Sequence, residues 1–211
     1  MKEIQQELGV SRSSVSLWVR DITLTPEQHA ALLQRNPAYN GQLKGSRTNS
    51  ERARLRRRTY QLNGRRRARE RDPLYIAGCM LLWTEGDKCR RAVRFTNSDP
   101  ELISLFARFL RTCFEVPDDR MRIYCHLFAD HVARQREIEQ YWADVAGLPA
   151  TALRKSMVNN YSRSSQRKRF NRLPYGTCKL VVHSTEIIQT IYGSIQEFAG
   201  FNRPAWLVCD Y

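Results

Sequence analysis

Apolar residues change their period several times along this chain, and each change predicts an element. In EIQQELGVSRSSVSLWVRDI, Ile4 and Leu8 repeat at helical spacing, Gly9 interrupts, and Ser11 is placed to cap a second helix running through Trp18 and Val19. Val15, Trp18 and Val19 fall on one face of that helix and are expected to pack against Ile4 and Leu8. Arg12, Ser13, Ser14, Ser16 and Arg20 are left on its outer surface. Thr25-Pro26-Glu27-Gln28 supplies an N-cap, a first-turn proline and a capping-box partner, so a short helix follows over PEQHAALLQR. NPAYNG, 36 to 41, reads as a turn cluster. From Lys44 to Arg71 the apolar positions thin out to Leu55, Tyr60 and Leu62, too few for a core, and helix propensity holds until Asn63-Gly64.

Beyond Asp72-Pro73 the pattern is that of a packed domain. GCMLLWT, 78 to 84, carries no charge and continues a helix begun by LYIA, which ends on Glu85-Gly86-Asp87-Lys88. Ala92, Val93 and Phe95 make a short strand. Ser98-Asp99-Pro100-Glu101 then starts a helix, with either Ser98 or Asp99 as the cap, and Ile103, Phe106, Phe109 and Leu110 recur along it through Cys113. RMRIYCHLF alternates basic and apolar residues as a half-buried strand does. A helix over 130 to 146 carries Ile138, Tyr141, Trp142 and Val145. The polar stretch NNYSRSSQRKRFNRLP leads to a strand, GTCKLVVHS, and a last helix, TEIIQTIYGSIQEF. The apolar end, FNRPAWLVCDY, is expected to fold back over this domain.

Charge narrows the choice of partner. The 211 residues hold 35 Lys and Arg against 21 Asp and Glu, a net charge of +14, which favours a polyanion, with nucleic acid first and a solvated basic surface as the bland alternative. Arg56, Arg57, Arg58, Arg65, Arg66 and Arg67 make the 44–71 segment a long basic helix or partly disordered connector along phosphates; a solvated linker is its alternative. Phosphate contacts give affinity without sequence choice. With no long apolar run and no apolar leader at the N-terminus, a cytoplasmic, nucleoid-associated protein is expected. The six cysteines show no Cys-x-x-Cys spacing and read as reduced thiols. His126 and His131 lie near Cys125, but the strand-like alternation there argues against a metal cluster.

Two segments resemble known families. LGVSRSSVSLWV and its surroundings resemble a helix-turn-helix of the kind found in resolvase-like and transposase-like DNA-binding domains. The resemblance implies a second helix in the major groove, with Arg12, Ser13, Ser14 and Ser16 as base or phosphate contacts and Arg20 nearer the backbone. From 73 to 200, IAGCMLLWTEGDK, RFTNSDPELISLF and LPYGTCKLVV, in this order of elements, resemble the LAGLIDADG homing-endonuclease fold. That fold is αββαββα, here with one extra helix between the first two strands, as in bacterial and archaeal members with a helix-turn-helix before a single unit. The expected fold is therefore α+β. It comprises an all-α helix-turn-helix segment over 1–24, a short helix and basic helical linker over 25–72, a LAGLIDADG-like domain over 73–200 and a tail over 201–211.

In that family the motif helices pack together at an interface and their C-terminal acids hold a divalent cation over the scissile phosphates. A hard cation needs carboxylate oxygens, and a helix C-terminus adds partial negative charge. The resemblance thus implies Glu85 as a catalytic metal ligand, Asp87 as a second acid, Lys88 as a phosphate or transition-state contact, Mg2+ as cofactor and a homodimer to bring two acids together. Read without the family, Glu85 pairs equally well with Lys88 or Arg90, and Gly86 is a left-handed helix end. The family also includes transcription regulators without cleavage. A curved sheet in this fold straddles the major groove, which implies DNA contacts for Arg94, Arg120, Arg122 and Tyr124, while Arg163, Arg167, Lys168, Arg169 and Arg172 would clamp phosphates from a loop. The leading expectation is a regulatory, sequence-specific binder of double-stranded DNA. Its rivals are a Mg2+-dependent endonuclease and an RNA-binding module that stacks bases on Tyr124, Tyr161 and Phe170.

Overall fold

Side-chain caps set most helix starts in the computed structural model, which describes residues 1–35, 37–159 and 173–208, with the backbone alone for 37–40. Chain contacts divide it into two compact units, 1–52 and 53–211.

The first unit holds α1 (Lys2–Leu8), α2 (Arg12–Trp18), α3 (Pro26–Gln34) and the start of α4 (Pro37–Ala68). Gly9, at φ 63°, turns the chain between α1 and α2 in the left-handed region that glycine enters freely. Ser11 Oγ then accepts from Ser14 N, and Thr25 and Gln28 form the expected reciprocal box before α3. Val15 is buried, but Trp18 and Leu8 are each 59 % exposed and Ile4 37 %, so the expected packing of Trp18 onto them is not made. The turn expected at 36 to 41 is helix instead: Pro37 opens α4, where the first turn needs no N–H, and Gly41 lies within the helix.

The second unit takes the rest of α4, followed by α5 (Pro73–Glu85), β1 (Val93–Asn97), α6 (Pro100–Phe114), β2 (Met121–Phe128), α7 (Gln135–Ala146), β3 (Met157–Asn159), β4 (Thr177–Val182) and α8 (Thr185–Phe198). This is an α+β unit in which α5, β1, α6, β2, α7, β4 and α8 follow the order read from the sequence, with β3 a further short strand. Asp72, Asp99 and Ser184 cap α5, α6 and α8, and Asp99, not Ser98, takes the amides of Glu101 and Leu102. The four strands lie in the order β1-β4-β2-β3, with β4 antiparallel to β1 and β2, and β3 parallel to β2. One apolar core joins Val93, Phe95, Ile123, Cys125 and Leu180 of the sheet to Leu82, Phe106, Trp142 and Ile191 of the helices. No helix among the described residues is long and apolar enough to cross a membrane.

The connector does not end at Asn63-Gly64. Instead, Gly64 lets α4 and α8 meet backbone to backbone: a Cβ on Gly64 would overlap the Thr190 carbonyl, and one on Gly193 the Gln61 carbonyl. A buried polar ladder surrounds the crossing. Gln61 Nε2 donates to Gln189 Oε1 at 2.7 Å, Gln196 Nε2 to Gln61 Oε1 at 3.1 Å, and Ser194 Oγ to the Gly64 carbonyl at 2.9 Å. The last part of the expected linker is therefore core, and the unit begins at 53 rather than 73. The tail folds back as expected: Trp206 is buried and stacks on Tyr192, ring centroids 4.5 Å apart.

Candidate nucleic-acid interface

The apolar helix α5 ends on carboxylates and a lysine, and its lysine is the helix cap. Lys88 Nζ donates to the carbonyls of Leu82, Trp83 and Gly86 at 3.3, 2.6 and 2.9 Å, supplying the donors that a helix C-terminus lacks. Burial holds this ammonium below the usual lysine range, and Asp87 pulls the other way. Lys88, expected to contact phosphate, is here bonded to the end of its own helix. Gly86 is extended, φ −84° and ψ 152°, rather than left-handed, and pairs with Phe95 as an isolated bridge. Asp87 N donates to the Arg94 carbonyl at 3.0 Å, and its carboxylate accepts from Lys179 Nζ at 2.9 Å. Asp87 is thus a salt-bridge partner across to β4 and not a second acid for a metal.

Glu85 is exposed at the end of α5, just ahead of the Lys88 cap. With Asp87 held by Lys179 and a positive charge seated on the carbonyls that would have drawn a cation, this donor set does not fit Mg2+, which demands several oxygens in octahedral array. No three His, Cys, Asp or Glu converge elsewhere among the described residues. His131 Nδ1 accepts from Phe128 N instead of facing Cys125. Cys79, Cys89, Cys113, Cys125 and Cys178 are free thiols; Cys125 and Cys178 face each other across strands, and burial pushes Cys125 up to about 12.

Alternation splits the sheet into two faces. The inner positions of β2 are buried and its outer ones, Arg122, Tyr124, His126 and Phe128, half-buried. Register aligns the outer positions across the sheet: Thr96, Lys179 and Tyr124 form one row, Arg94, Val181 and Arg122 the next, and Thr177, His126 and Met157 a third. The Arg122 guanidinium turns back to the Met121 and Asp119 carbonyls. Arg120 is exposed in the short turn before β2, beside the face rather than on it. Burial first, and then Lys179, hold His126 below the ordinary imidazole value, with Asp87 opposing. The sequence alone assigns neither Lys179 nor His126 to this surface. The period of GTCKLVV and RIYCHLF gives each its face, but only pairing brings them together.

The α4 arginines separate into two groups. Arg56, Arg58 and Arg66 are exposed. Arg57 is buried and donates to the Leu207 carbonyl at 2.7 Å, Arg65 reaches Gln196 at 3.1 Å and Glu197 at 3.6 Å, and Arg67 lies 4.5 Å over the Tyr75 ring and 5.1 Å over Phe114. All three are engaged by partners within the protein. Arg12, Ser13 and Ser16 of α2 and Arg20, in the turn just past its end, are exposed, while Ser14 is half-buried with its hydroxyl 2.9 Å from Ser11 Oγ. Ser13 Oγ also lies 2.7 Å from Ser11 Oγ. Arg163, Arg167, Lys168, Arg169 and Arg172, with Tyr161 and Phe170, lie outside the described residues. No protein-family model, curated protein or solved structure gives a match to this chain.

Proposed function

We propose that this protein is a sequence-specific, regulatory DNA-binding protein that combines a helix-turn-helix with a LAGLIDADG-like unit. The observation carrying the reading is the outer sheet face, where Arg94, Lys179 and Arg122 stand among Thr96, Tyr124 and Thr177, opposite an inner face whose buried positions are apolar. Such a surface offers cations to phosphates and hydroxyls to base edges. The exposed Arg12, Ser13 and Ser16 of α2, with Arg20 just past its end, supply a second, shorter reading element. Cleavage through a Glu85-bound cation is not part of the proposal, because the donor set does not fit one. A second copy of the chain would use the half-buried stripe of Ile76, Ala77 and Met80 on α5.

The test is selection of duplex sites from a random library, followed by affinity measurements at several salt concentrations. Arg12→Ala with Ser13→Ala should weaken the selected site by about 1 to 3 kcal/mol for each base edge no longer read, with less effect on random duplex. Arg94→Gln with Lys179→Gln should weaken all duplexes alike and reduce the salt slope by roughly 0.9 for each phosphate these side chains neutralise. A library that yields no enriched site, or enrichment indifferent to the α2 pair, would defeat the proposal.

A further inference from the structure

We propose that the outer sheet face also takes unpaired nucleotides, with Tyr124 and His126 as a stacking platform for successive bases and Lys179 and Arg94 as their phosphate partners. This rests on reading the face as a nucleic-acid surface and names the form of nucleic acid it accepts. Tyr124 and His126 occupy consecutive outer positions of β2, so strand geometry sets them roughly 6.6 to 6.8 Å apart. At that separation each ring has room to serve one base. β2 is an interior strand of the four: β4 runs beside both Tyr124 and His126, and β3 begins on the other side opposite His126.

The neighbours also suit a splayed strand. Met157, opposite His126, is 64 % exposed, which extends the apolar surface toward β3. A thioether and two flat rings in neighbouring outer positions have little to offer the edges of paired bases, whose faces are hidden in the stack, but they match the open faces of unpaired ones. Thr96 and Thr177, on the other side, present hydroxyls for base edges once those edges are freed from pairing. Lys179 lies opposite Tyr124 with its ammonium held by Asp87 at 2.9 Å, which fixes a hydrogen-bond donor beside the first ring. At neutral pH His126 is uncharged, since burial and Lys179 both disfavour its proton, and it therefore acts as a second π surface rather than a second cation.

Unpaired DNA and unpaired RNA share this chemistry, and the experiment separates them. The full-length protein is titrated against labelled single strands of one sequence as DNA and as RNA, and against the duplex, by fluorescence anisotropy. Tyr124→Ala and His126→Ala should each lower single-strand affinity roughly 5- to 150-fold, Tyr124→Phe should retain it, and duplex affinity should change far less. Binding of a single strand should also shift the His126 ring proton upfield in NMR spectra, a response that a merely structural histidine would not give. A preference for the RNA strand would assign the face to RNA, and parity would assign it to unpaired strands of either kind. Single-strand affinity unaltered in both alanine variants, with unaltered melting temperatures, overturns this inference. A wild-type protein that binds the duplex but neither single strand would overturn it while leaving the duplex reading intact, and failure to bind either form would overturn both.

Discussion

Lys88 closes α5 with one side chain where many helices use a left-handed glycine, giving its ammonium to two last-turn carbonyls and to that of Gly86 just beyond. Lys88→Met leaves those oxygens without charged donors, so it should cost about 1 to 3 kcal/mol, seen as a fall in melting temperature. Duplex affinity should be unchanged, because the group faces the helix and not the sheet. His126 gives a prediction with a definite sign. Its folded-state proton affinity lies below the ordinary imidazole value of about 6.5, so on acidification the unfolded chain takes up the proton first. Stability is therefore full above about pH 6.5 and declines as pH falls from there to the folded value. Urea titrations across that window should show a steeper loss for wild type than for His126→Gln. The contrast between these groups and the caps shows what one sequence makes legible at this scale. Ser11, Thr25 and Ser184 act on amides three residues ahead and are readable locally, whereas Lys179 finds its carboxylate 92 residues away and Arg57 its carbonyl 150 residues away.

Among the elements, α4 departs furthest from its sequence signals. Asn63-Gly64 carries the composition of a helix end, yet the glycine is there because α8 approaches too closely for any side chain. Propensity scores the isolated helix, and packing decides the position. Gly193→Val should therefore destabilise the fold by about 1 to 3 kcal/mol or more through overpacking, measured by calorimetry. The arginines of the same helix should divide by experiment as they do by burial. Replacing Arg56, Arg58 and Arg66 by Gln should flatten the salt dependence of DNA binding without lowering the melting temperature. Replacing Arg67 by Gln removes its stack on Tyr75 and Phe114 and should lower the melting temperature instead.

For the whole molecule, the α+β class and most of the succession of elements follow from local period and caps, since the long strands and every helix but α4 announce themselves. The sheet order does not. β3 is three residues long and pairs parallel to β2, and nothing in MVN announces a strand. The division at residue 52 is hidden for the same reason, because it depends on pairings between residues more than a hundred positions apart. A fragment covering 53–211 should fold with a cooperative melt and a native near-ultraviolet spectrum, and one covering 73–211 should not, as it lacks Gln61, Gly64 and Arg65.

The crossing of α4 and α8 also has a consequence in time. Gln61 leaves the ribosome long before its partner Gln189, 128 residues later, and pairings of such sequence separation close late. Until the final helix is made, the inner side of α4 has no ladder to join and Tyr75 no Ser194 to bond. The nascent chain must therefore hold a basic, half-finished helix in solution for most of its synthesis, and the emergence of residues 185 to 198 is the event that commits it to its fold.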